Sequence, residues 1–227
     1  MQTPNEQARQ LAQMIDHTLL KADATYEQVE TLCREAVECG FKSICVHPIH
    51  VSRCVTALHG SPVRVCTVAG FPLGTNTSGA KAFEAQEAVD LGAIEIDMVM
   101  NVGALKSNDW QAVERDIAGV ATVCHAAGGV CKVIIETCLL SNAEKVTACQ
   151  VSQAAGADFV KTSTGFSTDG ATPEDVRLMR ATVGSAMGVK AAGGIRSYKT
   201  AAAMVDAGAN RIGTSASVNI IKELLAQ

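Results

Sequence analysis

"QAAGADFVKTSTGF", residues 153–166, contains the junction that decides the fold of this chain. Ala-rich, helix-like sequence leads into Gly156, and a short apolar strand with Phe159 and Val160 follows at once. Glycine at this place is typical of a left-handed helix end, because it has no side chain to oppose that backbone conformation. Comparable junctions recur in ECGF (38–41), DLGA (90–93), AAGG (126–129) and VDAGA (205–209). The sequence therefore indicates a repeated helix–glycine–strand unit.

Eight candidate strands follow from the apolar and β-branched runs. They span residues 14–18, 41–47, 63–70, 93–100, 130–137, 157–163, 188–194 and 211–215. Candidate helices lie at 25–39, 48–59, 77–91, 108–127, 142–155, 173–185, 197–207 and 216–226. Strands joined through helices pair in parallel. Eight such units in 227 residues predict an α/β fold, a (β/α)8 TIM barrel forming one domain over residues 1–227, with an open doubly wound sheet as the alternative.

Composition and charge exclude several classes of function. The net charge is −4 and no basic stripe occurs, so we expect no nucleic-acid partner. No apolar run approaches the ~18 residues that span a bilayer, and the polar N-terminus lacks a signal-peptide core, so we expect a cytoplasmic protein without a membrane partner. The nine cysteines include no C-x-x-C pair. Reduced, mostly buried thiols are therefore expected, rather than disulfides or a zinc site.

Two lysines stand at the ends of neighbouring predicted strands, where barrel enzymes place their chemistry. Lys161 ends one strand and Lys190 lies on the next. Burial and mutual repulsion favour an uncharged amine, which is a nucleophile for a carbonyl carbon. The pair therefore indicates Schiff-base chemistry. Lys161 and Lys190 belong to a larger set of ionisable strand residues whose positive and negative members could neutralise each other around one pocket; the others are Asp16, Asp97, Lys132 and Glu136.

Taken singly, some of these residues have simpler interpretations. Lys132 alone would be a solvated strand residue or a member of a structural ion pair, and Asp97 alone an ion-pair partner or a cap. No H-x-H or H-E-x-x-H spacing occurs, so we expect no metal.

Glycine-rich loops follow the last two predicted strands, in AAGGIRS (191–197) and GTSAS (213–217). In barrels these two loops frequently hold a phosphate through backbone N–H groups and helix N-termini. Gly193, Gly194, Gly213 and Ser215 are therefore candidate phosphate-binding residues. Arg196 is either a phosphate contact or a surface residue of the first helical turn.

Long stretches of the chain resemble the deoxyribose-phosphate aldolases. The motifs that carry the resemblance are IDHTLLK (15–21), VAGFPLGTNTSGAKAFEAQEAVDLGAIEIDMVMN (68–101), KVIIETCLL (132–140), GADFVKTSTGF (156–166), VKAAGGIRS (189–197) and RIGTSAS (211–217). The resemblance covers about residues 12–222. It implies a class I aldolase on a (β/α)8 barrel that needs no cofactor or metal. Such an enzyme reversibly cleaves 2-deoxy-D-ribose 5-phosphate to D-glyceraldehyde 3-phosphate and acetaldehyde.

The resemblance also assigns roles to residues. Lys161 matches the Schiff-base lysine, Lys190 the second lysine that perturbs it, and Asp97 the acid/base carboxylate. The remaining matches are substrate-binding positions: Asp16 and Thr18 at the pocket mouth, Lys132 near the acid/base network, and Gly193, Gly194, Gly213 and Ser215 at the phosphate. A small phosphosugar and aldehydes are the implied partners, together with further copies of the chain in a homodimer or homotetramer.

Two positions depart from the pattern of some relatives. Phe166 stands where some members have a lysine near the phosphate, and the chain ends KELLAQ (222–227), without the tyrosine that enters the active site of others. Barrel and phosphate loops alone are compatible with another phosphosugar isomerase or lyase. A phosphosugar sensor without catalysis is a further alternative, although such a sensor needs no nucleophile.

Overall fold

The computed structural model describes residues 3–227 and forms a closed barrel of eight parallel strands. Each strand pairs with the next along the chain, and the last pairs with the first. The strands are β1 (Ile15–Leu19), β2 (Ser43–Val46), β3 (Arg64–Ala69), β4 (Glu95–Val99), β5 (Val130–Ile134), β6 (Phe159–Lys161), β7 (Gly188–Ala192) and β8 (Arg211–Thr214). The (β/α)8 TIM barrel is therefore confirmed, and the open sheet is wrong.

Helices surround this sheet. They are α1 (Pro4–Ala12), α2 (Tyr26–Cys39), α3 (Val51–Ala57), α4 (Ser78–Asp90), α5 (Val102–Lys106), α6 (Trp110–Ala126), α7 (Asn142–Ala154), α8 (Pro173–Val183), α9 (Tyr198–Asp206) and α10 (Ser217–Leu225), with short 3-10 turns at Pro48–His50 and Thr137–Leu139. Each predicted helix corresponds to one of these elements. Within residues 3–227, no helix has the length and apolarity needed to cross a membrane.

Glycine ends several helices in the way the sequence indicates. Gly40 follows α2 with a φ of 67°, and Gly156 precedes β6 with a φ of 82°. Both values lie in the left-handed region, where a residue with a Cβ atom is strained. The chain can therefore turn sharply from helix to strand, and the recurring junction is confirmed as the signal of the repeated unit.

The helix α1 was not predicted, although its start has a clear signal. Thr3 accepts a hydrogen bond from the backbone N–H of Glu6, the Glu6 side chain accepts one from the Thr3 N–H, and Pro4 occupies the first turn. This is a capping box. The short helix α5 was also missed, because its five residues are too few to show a helical period.

The interior of the barrel is divided between apolar and charged side chains. One sector contains the packed residues Leu20, Cys45, Cys66 and Val68. The larger apolar core lies between the strands and the surrounding helices. The rest of the interior contains buried lysine, arginine, aspartate and glutamate side chains from β1, β4, β5, β6, β7 and β8. All nine cysteines are free thiols, and seven of them are buried.

Strand register brings the predicted catalytic residues together. Lys161 is the direct partner of Lys190 between β6 and β7, and Asp97 is the direct partner of Lys132 between β4 and β5. Direct partners in neighbouring strands project their side chains to the same face of the sheet. The expectation that the two lysines occupy corresponding ends of adjacent strands is confirmed.

Candidate active site

Asp97 lies at the centre of a buried cluster of charges. Its Oδ2 accepts hydrogen bonds from Lys161 Nζ and Lys190 Nζ, both at 2.7 Å. Its Oδ1 accepts one from Lys132 Nζ at 2.8 Å. Asp97, Lys132 and Lys190 are fully buried, and Lys161 is 3 % exposed. One carboxylate thus holds three amines, two of them on the same oxygen.

Asp16 lies in a different place from the one that the resemblance implies. It is fully buried, forms an ion pair with Lys190, and accepts hydrogen bonds at 2.6 Å from Ser43 Oγ and from the Arg211 guanidinium. Its side chain does not line the reaction cavity described below. The expected position at the pocket mouth is therefore wrong, because Lys190 and Arg211 hold this carboxylate inside the barrel, and Arg211 was not among the predicted residues.

Two members of the cluster, Glu95 and Arg211, were missed by the sequence-based prediction. Arg211 donates a hydrogen bond to Glu95 Oε1 at 3.2 Å. Lys132 Nζ lies 2.7 Å from Glu95 Oε2, where the two groups form an ion pair whose angles do not suit a hydrogen bond. A usable signal existed, since Glu95 alternates with Asp97 along β4 and so faces the same side. Arg211 could be found in the same way, by its alternation with Gly213 on β8.

Glu136 was expected to share this interior with Lys132, and that expectation is wrong. β5 ends at Ile134, and Glu136 has a φ of 54°, so the alternation of a strand no longer applies to it. Its buried carboxylate instead accepts hydrogen bonds from the backbone N–H and the hydroxyl of Thr164. Parity along a sequence predicts side-chain direction only while the backbone stays extended.

The cluster keeps its carboxylates ionised. Burial by itself would raise the pKa of Asp97, but the ammonium groups of Lys132, Lys161 and Lys190 outweigh burial and hold this pKa well below its usual range. The pKa values of Asp16 and Glu95 are lowered for the same reason, against the effect of burial.

The lysines of the cluster differ in the number of carboxylates that they contact. Burial alone would lower the pKa of Lys190, but Asp16 and Asp97 reverse this effect and raise it. Lys190 therefore stays charged at neutral pH. Lys161 has a single carboxylate contact, to Asp97, which it shares with Lys190.

A cavity of about 280 Å³ opens above Lys161 at the C-terminal end of the barrel. Most of the predicted substrate-binding residues line it: Thr18, Gly193, Gly194, Gly213 and Ser215. Lys132, Lys190 and Asp97 lie beneath, out of contact with it. Lys21 and Arg196 also line the cavity, from the loops after β1 and β7. The arrangement offers one amine at the cavity floor and two cationic side chains in the walls.

Steric contacts explain why two positions of the cavity are occupied by glycine. Gly193 has a φ of 87°, and a Cβ there would approach the Gly170 backbone to 3.0 Å. A Cβ on Gly213 would lie 3.1 Å from Lys190 Cε, so this glycine leaves room for the lysine side chain. Gly213 is therefore needed for the position of Lys190, independently of any phosphate.

Phe166 forms part of the cavity wall in place of the lysine of some relatives. Its ring packs edge-on against Phe71, with ring centroids 5.3 Å apart, and the side chain is 56 % exposed. The wall at this point is thus apolar, and positive charge comes from Lys21 and Arg196 on other loops.

The buried thiols and carboxylates could resemble a metal site, but an ammonium already occupies it. Donor atoms of Cys45, Cys66 and Asp97 lie within 4.8 Å of one another. Lys132 Nζ, however, lies 3.2 Å from Cys66 Sγ and 2.8 Å from Asp97 Oδ1. A cation at this point would have to displace Lys132, so these donors do not fit a metal.

Comparison with known proteins agrees with this geometry. The model of the DeoC/LacD aldolase family matches residues 10–222. A deoxyribose-phosphate aldolase of Streptococcus pneumoniae is 61 % identical over 217 residues, covering 95 % of this chain and 97 % of the relative. One from Geobacillus sp. is 58 % identical over 212 residues, covering 93 % and 95 %.

A solved structure shares the whole architecture. The tetrameric deoxyribose phosphate aldolase of Aeropyrum pernix superposes with a TM-score of 0.89 at 38 % identity, covering 97 % of this chain and 91 % of that one. The family match, the near-complete coverage by relatives and the buried lysine–aspartate cluster together show that this chain belongs to the DeoC/LacD family of aldolases.

Proposed function

We propose that this chain is a class I aldolase that reversibly cleaves 2-deoxy-D-ribose 5-phosphate to D-glyceraldehyde 3-phosphate and acetaldehyde, in the catabolism of deoxyribose phosphates. The observation that carries the proposal is the placement of Lys161. It is the member of the buried cluster that lines the reaction cavity, and it has the fewest carboxylate partners. The relatives that match the chain over its length are deoxyribose-phosphate aldolases, which supports the same reaction.

The amine of Lys161 attacks C1 of the open-chain sugar, and loss of water gives an iminium ion. Acetaldehyde contains C1 and C2, so the bond that breaks is C2–C3. Its electron pair moves into the iminium to form an enamine, while the C3 hydroxyl gives its proton through water to Asp97 and becomes the aldehyde of the three-carbon product. Protonation of the enamine at C2 and hydrolysis release acetaldehyde and restore Lys161.

Asp97 and Lys190 serve the proton transfers. Because three cations surround Asp97, its carboxylate keeps its charge and is a weak base. Its Oδ2 lies 2.7 Å from both Lys161 Nζ and Lys190 Nζ, so it can pass a proton from one amine to the other.

The phosphate group is bound at the opposite end of the cavity. Gly193, Gly194 and Ser215 offer N–H and hydroxyl donors there, and Lys21 and Arg196 add positive charge. Binding of this remote group supplies energy that orients C1 toward Lys161. The electron sink is the iminium itself, so the proposed reaction uses no metal or cofactor.

We also infer a homo-oligomer, either a dimer or a tetramer. The Aeropyrum pernix relative is described as a tetramer. Large apolar side chains are exposed on this chain, among them Ile49 at 78 % and Phe83 at 70 %. Light scattering of the purified protein over a range of concentrations tests this inference, and a monomer throughout that range would contradict it.

The reaction is tested by reduction of the Schiff base. Borohydride added together with acetaldehyde should leave an adduct on Lys161, located by peptide mass mapping, and retro-aldol turnover should be unchanged by a chelator. Lys161→Leu should lose both turnover and adduct, whereas Lys106→Met, a control at an exposed lysine paired with Glu144, should keep both. An adduct on Lys190 alone would contradict the assignment, and phosphosugar binding without turnover would indicate a sensor.

A further inference from the structure

Glu136 is a buried carboxylate that the proposed reaction does not use. It is 4 % exposed, and among residues 3–227 no lysine, arginine or histidine side chain forms an ion pair with it. A buried carboxylate without a cation is costly unless hydrogen bonds compensate it. Within the described residues, the hydrogen bonds that the Glu136 carboxylate accepts all come from Thr164: from its N–H at 3.2 and 3.3 Å and from its hydroxyl at 2.5 Å.

The backbone of Glu136 is also unusual. Its φ of 54° and ψ of 67° place it in the left-handed region, which few residues other than glycine adopt. Such strain persists where the surrounding structure holds the residue firmly, and it is frequent at functional sites. Here the conformation turns the side chain away from the barrel interior toward the loop that follows β6.

The neighbours of Glu136 hold the same segment through the backbone. The N–H of Ile135 donates to the carbonyl of Lys161 at 3.0 Å, and the N–H of Thr137 donates to the carbonyl of Thr162 at 2.9 Å. Three consecutive residues after β5 therefore fasten the end of β6 and its loop. The two backbone bonds hold Lys161 in place, and the Glu136 side chain holds the loop three residues further on.

This loop forms the wall of the cavity and meets the phosphate end. Thr164, Gly165 and Phe166 all line the cavity, and the Thr164 hydroxyl accepts a hydrogen bond from the Phe166 N–H at 3.0 Å. Further along, the Ala171 N–H donates to the carbonyl of Gly193 at 3.1 Å. The segment that follows β6 is thus also bonded to the glycine loop after β7, through Ala171.

We propose that Glu136 is a positioning residue for substrate binding, which shapes the phosphate end of the cavity by holding Thr164 and the loop at residues 164–166. It acts through Thr164 and does not touch the reacting atoms. This role rests on the proposed aldolase function, and it concerns affinity for the phosphosugar rather than the reactivity of Lys161.

The test compares Glu136→Gln with wild type. The amide keeps the shape of the side chain, but its NH2 group replaces one acceptor oxygen and its carbonyl oxygen carries no full charge, so the hydrogen bonds from Thr164 become fewer and weaker. We expect KM for 2-deoxyribose 5-phosphate to rise about tenfold. We expect little change in kcat, in the rate of borohydride trapping with acetaldehyde, or in the slow turnover of 2-deoxyribose without phosphate.

Thr164→Val provides the matched second variant, since it removes the hydroxyl and leaves the carboxylate in place. It should raise KM in the same direction, and the double variant should be no worse than the poorer single variant, because both act through one contact. Glu174→Gln, at an exposed position on α8, is the control and should match wild type.

Three results would overturn the proposal: an unchanged KM in Glu136→Gln, trapping slowed as much as turnover, or additive effects of the two single variants. If Glu136→Gln does not fold, an unchanged KM in Thr164→Val would still contradict it. A failure of the proposed aldolase function is distinguishable from a failure of the Glu136 proposal, because wild type itself would then show neither turnover nor trapping.

Discussion

Lys161 and Lys190 are direct neighbours in the sheet, yet their surroundings give them different chemistry. Lys190 is held by two carboxylates, which raise its pKa above the ordinary value although burial opposes this. Lys161 shares one carboxylate and lines the cavity. At the scale of single residues, the two lysines therefore differ in the number of carboxylates that they contact: Lys190 contacts two and is the cation, and Lys161 contacts one and is the nucleophile.

Replacing Lys190 tests this difference. Lys190→Met removes one of the two amines that share Asp97 Oδ2, so proton transfer through Asp97 loses a partner. We expect turnover at pH 7 to fall at least about tenfold, while Lys161 remains able to form the Schiff base with acetaldehyde. Lys106→Met, at an exposed lysine paired with Glu144, should keep full turnover. Turnover close to that of wild type in Lys190→Met would refute the role of Lys190 in proton transfer.

Gly213 offers a second test at this scale. An alanine there would place its Cβ 3.1 Å from Lys190 Cε and from Ala192 Cβ, so the lysine must shift. We expect about 1 kcal/mol loss in the free energy of unfolding and a clear loss of turnover, measured by denaturant titration and retro-aldol assay. In Gly79→Ala, a helical position with open space around it, activity should persist. Full activity in Gly213→Ala would show that Lys190 tolerates the added methyl.

The sequence predicted the catalytic residues better than their supporting ones. Lys161, Lys190 and Asp97 are placed together because strand ends of a barrel converge, and that follows from topology. Glu95 and Arg211 could have been found by alternation along their strands. Glu136 could not, since a left-handed residue after a strand leaves no periodic signal.

At the scale of elements, the fold was predicted mainly from the helix–glycine–strand junction. Its glycines need a backbone conformation that other residues resist, so the signal is local and readable. Apolar periodicity does not reveal helix α1, because the first turn of this helix is polar. A capping box marks its start instead. Ion pairs between the outer helices were not predictable, since no rule of strand topology brings their residues together.

One such pair joins α4 to α6. Lys81 Nζ donates to Asp116 Oδ2 at 2.5 Å and to the carbonyl of Val99 at 2.8 Å, and Lys81 is fully buried. Lys81→Met would leave a buried carboxylate without a partner, at a cost of about 3–5 kcal/mol in the free energy of unfolding. Urea titration measures this loss.

A double variant separates charge from packing in this pair. Lys81→Met combined with Asp116→Leu should recover most of the lost stability, because no unpaired charge remains. Lys106→Met, which breaks the exposed pair with Glu144, should change stability little. A double variant as unstable as Lys81→Met would show that the lysine acts through packing and its bond to Val99.

At the scale of the whole molecule, the barrel interior is stabilised by ionised groups, so its stability depends on pH at both ends. The pKa values of Asp16, Glu95 and Asp97 are lower in the folded protein than their ordinary values. Their contribution is therefore present above about pH 4 and is lost as the pH falls through the folded pKa values. The pKa values of Lys132 and Lys190 are raised, so their contribution is present below about pH 10 and is lost at higher pH.

Glu95→Gln makes this dependence measurable, because Glu95 is fully buried and does not line the cavity. At pH 7 the variant leaves Lys132 and Arg211 each short of a carboxylate partner, and we expect a loss of about 3 kcal/mol in the free energy of unfolding. As the pH falls below about 4, the unfolded wild-type chain takes up a proton on Glu95 before the folded protein does, because the folded pKa is lowered. The advantage of wild type therefore shrinks steadily, and the two stability curves should converge. Glu174→Gln should run parallel to wild type throughout. A difference of equal size at pH 7 and at pH 3 would assign Glu95 to packing, and the charge of the barrel interior would then contribute nothing at this position.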